Sequence, residues 1–294
     1  MKILCAIDGS RYSQWTLDWL RRLCVPDDCS LLLVHAVDMT QFKKLPTLDR
    51  KSRSALVKVL EFSLEGAARL LEGAEVKAAR TWGDVRAKLL RGHPAEVIAR
   101  SAGRERADLL VIGSRGVTEF QPMLLGSVSR RLLMQAPCPV LVVKKPAHGL
   151  RRVVLAADGS LESWEAVAWM SQLPENIRPA VTVASVIPPF PLESIRVPAR
   201  ALALSDQVEG VFRREAKKLT ARVAGTLRKA GFSAKGVVLA GPPAAELVKL
   251  AGRERAELIV VGSRSGRSAH DYFMGSVADM VVKHAPCSVL VYRG

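Results

Sequence analysis

At 294 residues, 49% apolar and 24% charged, the chain reads as globular and long enough for about two domains, each with its own core. No apolar run approaches the ~18 residues of a membrane-crossing helix, so no membrane role is expected. The net charge of +16 is divided as +9 over residues 1–147 and +7 over the rest, and aromatics are only 5%; spread charge with few stacking rings argues against a nucleic-acid partner.

Lys2 to Ile7 is an apolar, β-prone run, and Asp8-Gly9-Ser10 then supplies a turn and an N-cap for an amphipathic helix reaching about Leu23. Ser30 to Val37 is nearly continuous in apolar character, as strands buried on both faces of a parallel sheet are. A variable stretch with Pro46 follows, then a helical pattern from about Ser52 to Ala79. The basic cluster Lys43-Lys44 to Arg50-Lys51-Arg53 is expected in a solvated loop. For the next strand Val76–Ala79 and Val85–Arg91 both compete. The unit ends with a helix over Ala95–Arg104, a strand over Asp108–Ile112, a glycine segment, a helix over Gly126–Gln135 and a strand over Pro139–Val143.

This pattern occurs twice. Gly113-Ser114-Arg115-Gly116 followed after nine residues by Gly126-Ser127 answers to Gly262-Ser263-Arg264-Ser265 followed after nine by Gly275-Ser276. Ala102–Arg115 and Ala251–Arg264 share eleven of fourteen residues. A repeat of this length means two homologous domains, 1–147 and 148–294, rather than a solenoid. The copy also settles the ambiguous strand: Gly92-x-Pro94 aligns with Gly241-x-Pro243, so Val85–Arg91 corresponds to Lys235–Ala240. The second unit then runs through strand Arg152–Ala157, Asp158-Gly159-Ser160, a helix, strand Ala180–Val186, a Pro-rich loop to Pro198, a long helix from about Ser205 and a last strand Ser288–Tyr292. Strands alternating with helices predict right-handed crossovers and a doubly wound parallel sheet, with ligands beyond the carboxyl ends of its strands where the winding reverses.

At that place the glycine segment can cradle phosphate. Glycines allow positive φ and close backbone approach, the amides at the start of the next helix point at an anion, and the hydroxyls of Ser127 and Ser129 add donors. Asp8 at the end of the first strand is placed to reach a ribose hydroxyl or a phosphate-bound Mg²⁺. Asp8 as a mere turn-former and Gly126-Ser127 as an ordinary helix start remain the alternative.

The Asp-ended first strand, the Gly-x-x-Gly-x9-Gly-Ser signature and the tail GSVSRRLLMQAPCPVLVV resemble the universal stress protein family, and the chain resembles its tandem form. The resemblance implies two flavodoxin-like α/β domains with five-stranded parallel sheets, an ATP site of one branch of the family, and association through the last strands as an internal pseudo-dimer, with further pairing into a homodimer open. It implies that Ile7 and Asp8 meet ribose and phosphate and that Ala36 bonds adenine through its backbone. Ile112, Gly113, Arg115, Gly116, Gly126, Ser127, Val128 and Ser129 would line the ribose and triphosphate. The second-half counterparts are Asp158, Val186, Gly262, Arg264, Gly275, Ser276 and Val277. Ser265 stands where the second glycine belongs, and a side chain there meets phosphate or resists positive φ, although Gly266 beside it leaves room to adjust. The first half is therefore expected to bind ATP more tightly.

The expected function is a nucleotide-responsive regulator of a stress response that binds ATP with Mg²⁺. A slow ATPase or self-phosphorylating enzyme, and a module carrying an apolar ligand, are the alternatives. No G-x-x-x-x-G-K-[ST] loop and no nucleophile–base pairing points to efficient catalysis. Five cysteines without C-x-x-C spacing speak against disulfides and zinc, Cys138 and Cys287 reading as small core hydrophobes, and the scattered histidines show no ligand spacing. Asp8 interrupts any leader-like apolar core at the start, so a cytoplasmic location is expected.

Overall fold

The computed structural model describes residues 1–23, 28–40, 49–116, 125–189, 199–263 and 274–293, the side chains of 199–206 aside. It divides into two compact units, Met1–Ala147 and His148–Gly294. The first contains β1 (Lys2–Ala6), α1 (Arg11–Leu23), β2 (Ser30–Val37), α2 (Arg50–Ala79), β3 (Asp84–Arg91), α3 (Pro94–Glu105), β4 (Leu109–Gly113), α4 (Ser127–Gln135) and β5 (Val140–Val143). The second contains β6 (Arg152–Ala156), α5 (Leu161–Ser171), β7 (Ala180–Ile187), α6 (Ala199–Lys229), β8 (Ala234–Ala240), α7 (Pro243–Arg253), β9 (Leu258–Gly262), α8 (Ser276–His284) and β10 (Ser288–Tyr292).

Within the first unit the strands lie in the order β3-β2-β1-β4-β5, all parallel. The second repeats it as β8-β7-β6-β9-β10. The chain winds from β1 outward through β2 and β3, then returns to lay β4 on the other side of β1. Right-handed crossovers therefore put α1 and α2 on one face and α3 with α4 on the other. The β1–β4 junction is the point of reversal, and the strand interiors on both sides of it, Ile3 to Cys5 and Leu109 to Ile112, are buried.

The closest sequence match between the repeats has a structural cause. Arg106 and Arg255 adopt left-handed conformations, φ 51° and 50°, just past α3 and α7. Ala107 N–H returns to the Ala102 carbonyl at 2.9 Å and Ala256 N–H to that of Ala251 at 2.9 Å, the six-to-one closure of a Schellman end. The repeated Ala-Gly-Arg-Glu-Arg-Ala is thus a helix exit that delivers the chain into β4 and β9.

Two expectations move. Helix α2 begins at Arg50, because Asp49 caps it by accepting from the amides of Lys51 and Ser52, each at 2.9 Å. Arg50, Lys51 and Arg53 consequently lie on a helix and not in a loop. Helix α6 begins at Ala199, six residues before Ser205. Lys43, Lys44 and Pro46 lie outside the described residues. Cys138 and Cys287 are buried, and burial pushes the Cys138 thiol up to about 12.

Candidate functional site

Beyond the carboxyl ends of β1 and β4 lies a cavity of about 400 Å³. All eleven first-half residues named from the sequence line it: Ile7, Asp8, Ala36, Ile112, Gly113, Arg115, Gly116, Gly126, Ser127, Val128 and Ser129.

The Asp8 carboxylate is divided between two tasks. Its Oδ1 accepts the Ser10 amide at 3.0 Å, the Asx turn that starts α1, while Ser10 Oγ accepts the Ser13 amide at 3.2 Å. The other oxygen, Oδ2, lies where a side chain on Gly116 would begin: a Cβ there would stand 2.9 Å from it. Gly113 is confined in the same way, since its Cβ would fall 2.8 Å from Cβ of Tyr12. Neither glycine has a positive φ. Close approach, not backbone conformation, is what excludes a side chain at both.

Parallel pairing places the main chain of Ala36. Val34 offers its carbonyl to Ile7 N–H at 2.9 Å, towards β1, and Val37 offers its own to Gly92 N–H at 3.1 Å, towards β3. Alternation along β2 turns the N–H and C=O of Ala36 to the β1 side, just where β1 has ended, so they open on the cavity. The same bonds in the second unit, Ala157 N–H to Ala184 and Gly241 N–H to Ile187, turn Val186 likewise.

At the opposite wall, α4 starts behind Gly126, which gives no side-chain cap, so the amides of its first turn are not closed off by their own cap residue. Ser127 is exposed at that start, Val128 half-buried and Ser129 buried. Ser129 departs from its expected role as a donor to phosphate: its one hydroxyl proton goes to the Gly113 carbonyl at 2.8 Å, tying α4 to the end of β4. The Arg115 guanidinium donates to the Tyr12 hydroxyl at 3.1 Å and lies 5.6 Å from its ring centre. Arg11 donates to the same hydroxyl at 3.0 Å.

The second unit has a smaller cavity, about 250 Å³, lined by Asp158, Val186, Gly262, Gly275 and Val277 among the expected residues. Asp158 also forms an Asx turn, accepting the Ser160 amide at 2.9 Å, and is exposed where Asp8 is half-buried. Ser276 is exposed at the start of α8 and does not line the cavity. Arg264, Ser265 and Gly266 lie outside the described residues.

Six lining residues of the first cavity escaped the sequence reading, Ala6, Ser13 and Leu132 beside three that bear on the site: His35, Pro94 and Ile98. The histidine was set aside for lack of metal spacing, yet its Nδ1 meets the Ile7 carbonyl at 2.7 Å. A carbonyl only accepts, so Nδ1 carries the proton and Nε2 of the neutral ring is an acceptor. For the other two a signal existed. Gly92-x-Pro94 repeats as Gly241-x-Pro243, and Gly92 and Gly241 have φ 138° and 134°, a turn that brings α3 and α7 to the two cavities.

The sequence matches the model of the universal stress protein family over residues 1–144 and again over 149–293. The chain belongs to the universal stress protein family. A universal stress protein of Methanocaldococcus jannaschii is 35% identical over 153 residues, which covers 49% of this chain and 82% of that protein. One from Thermus aquaticus is 34% identical over 142 residues, 48% of this chain and 97% of that one. The crystal structure of a universal stress protein from Archaeoglobus fulgidus superposes with a TM-score of 0.67 at 19% identity, over 99% of this chain and 96% of its own. That likeness spans both repeats and establishes the universal stress protein fold for the whole chain.

Proposed function

We propose that the first unit binds ATP with Mg²⁺ and that occupancy of this site makes the protein a nucleotide-responsive regulator. The observation that carries the reading is the convergence of all eleven residues on one cavity of about 400 Å³, within the usual range of roughly 300–1,000 Å³ for small-molecule sites. The main chain of Ala36 offers one donor and one acceptor to the edge of a base. Asp8 Oδ2 faces the ribose and phosphate side, and the uncapped start of α4 offers amides to the phosphates. Among the described residues no three carboxylate, histidine or cysteine groups gather as a metal site. One carboxylate plus phosphate oxygens is how Mg²⁺ commonly sits on nucleotides, so the residues fit a cation that arrives with its nucleotide and neutralises phosphate charge.

Calorimetry with Mg·ATP, together with nucleotide analysis of the protein as purified, tests the reading. Binding lost in Val128→Trp, which fills the cavity, is the expected result. No binding of any adenine nucleotide would overturn it. Phosphate release at saturating ATP separates the regulator from a slow ATPase, and the regulator is expected to release none beyond the uncatalysed rate.

A further inference from the structure

The wall of the second cavity is largely apolar, built from Ala156, Ala184, Val186, Leu247, Val261 and Val277. Among the lining residues is Ser263, 2% exposed, whose hydroxyl has no hydrogen-bond partner among the described residues. The other buried side-chain atoms in that state among the described residues, His93 Nδ1 and Ser101 Oγ, line neither cavity. A buried hydroxyl left unpaired is a cost that a bound polar group removes.

Around the start of α8 and in α5 the second unit carries acids where the first unit has none. The first turn of α4 contains no acid, whereas that of α8 contains Asp279, paired with Lys283. An acid in that turn makes the start of α8 less favourable to an anion than that of α4, even with Lys283 offsetting part of its charge. Ser129, which ties α4 to Gly113, gives way to Ala278, and Arg130 to Asp279. Tyr12, the seat of the Arg115 guanidinium, gives way to Glu162, and Trp15 to Glu165. The cavity, at about 250 Å³, is also smaller than the first and lies just under the roughly 300–1,000 Å³ usual for small-molecule sites, so it suits a small ligand better than a nucleoside triphosphate.

We infer that the second unit is a site for a neutral ligand of nucleoside size and not for a nucleoside triphosphate. Val186 offers the same main-chain edge as Ala36, Asp158 takes hydroxyls, the alanines and valines cover the ligand's apolar body, and Ser263 pairs with a polar group on it. The inference builds on the ATP reading of the first unit, which supplies the contrast.

The full chain is titrated with Mg·ATP and with adenosine, beside Val128→Trp and Val277→Trp, which each put an indole into one cavity from a half-buried position. Circular dichroism checks their folding, and Ser263→Ala is the milder second-site variant. The unmodified chain is expected to take one equivalent of ATP, lost in V128W and kept in V277W. It should take two of adenosine, one of them lost in V277W and weakened severalfold in S263A. Ala278→Ser with Asp279→Arg, which copies the first unit, should raise ATP affinity at the second at least roughly tenfold. A second equivalent of ATP in the unmodified chain, or adenosine binding that neither V277W nor S263A alters, overturns the inference. Absence of an ATP equivalent sensitive to V128W overturns the first-unit reading instead, and leaves the adenosine result to judge the second.

Discussion

Helices α4 and α8 begin alike, behind Gly126 and Gly275 with no side-chain cap, and then diverge: Ser-Val-Ser-Arg-Arg in one, Ser-Val-Ala-Asp-Met in the other. The same division runs through both units. The Asx turns at Asp8 and Asp158 and the left-handed exits at Arg106 and Arg255 are copied almost to the degree and the tenth of an ångström. Tyr12, His35 and Ser129, which border the first cavity or brace its loop, have become Glu162, Ser185 and Ala278. The chain's path is copied, glycines and aspartates of the cavity included, while the two units differ in the charge and size of the side chains around it.

The largest expected effect comes from erasing the difference at the glycine segment. Gly116→Ser puts a Cβ 2.9 Å from Asp8 Oδ2 and should weaken ATP binding at the first unit at least roughly tenfold, read by calorimetry with thermal unfolding as the control. Unchanged affinity would remove the steric reason for ranking the units. Next comes Asp8→Ala, expected to cost Mg·ATP roughly 1.5–3 kcal/mol and adenosine clearly less, because charge on metal and phosphate is what is lost. Asp8→Asn keeps the acceptor for the Ser10 amide, so a like loss there assigns the effect to charge and not to the turn.

His35→Ser, which copies Ser185, should weaken adenosine at the first unit by roughly 0.5–1.5 kcal/mol through loss of the Nε2 acceptor. An unaltered isotherm would mean that the ring only braces Ile7. Smaller again, Arg106→Gly and Arg255→Gly each relieve a side chain at positive φ and should stabilise by up to about 1 kcal/mol in urea unfolding. Equal gains in both would confirm that these exits are the shared, structural part of the repeat. The smallest effect is confined to the start of α2. The Ser52 hydroxyl, ahead of the Ser52 amide, holds the Asp49 carboxyl below the usual aspartate range. With its folded value lowered, the cap is at full strength at neutral pH and is lost as pH falls through that lowered value. Hydrogen exchange at Lys51 and Ser52 should accelerate there, beyond the intrinsic change with pH.

Much of the fold was legible because hydrophobic runs and turn residues carry it locally. The repeat then resolved β3, which its own sequence left ambiguous between two runs. Helix starts were less legible: Asp49 three residues before Ser52 is a cap signal that basic neighbours obscured, and nothing local marked Ala199 as the start of α6. In the site, of the two reasons the sequence offered for the glycines, close approach applies and positive φ does not, and the neighbours approached, Asp8 and Tyr12, come from segments joined only in three dimensions. His35 was invisible for a related reason. Its ring acquires a fixed tautomer from a carbonyl 28 residues away, which no spacing rule anticipates.

Recognition through the open backbone groups of Ala36 and Val186 would leave the side chains at those positions free to vary. A base read by main-chain amides would be read alike above alanine, valine or any other strand-forming side chain, so the two repeats can drift there without altering which base fits. Side-chain mutagenesis would then score this contact as silent. An amide-to-ester replacement that removes the N–H of residue 36, made by semisynthesis, addresses the bond itself, and its effect should fall on base affinity while the phosphate contacts stay in place.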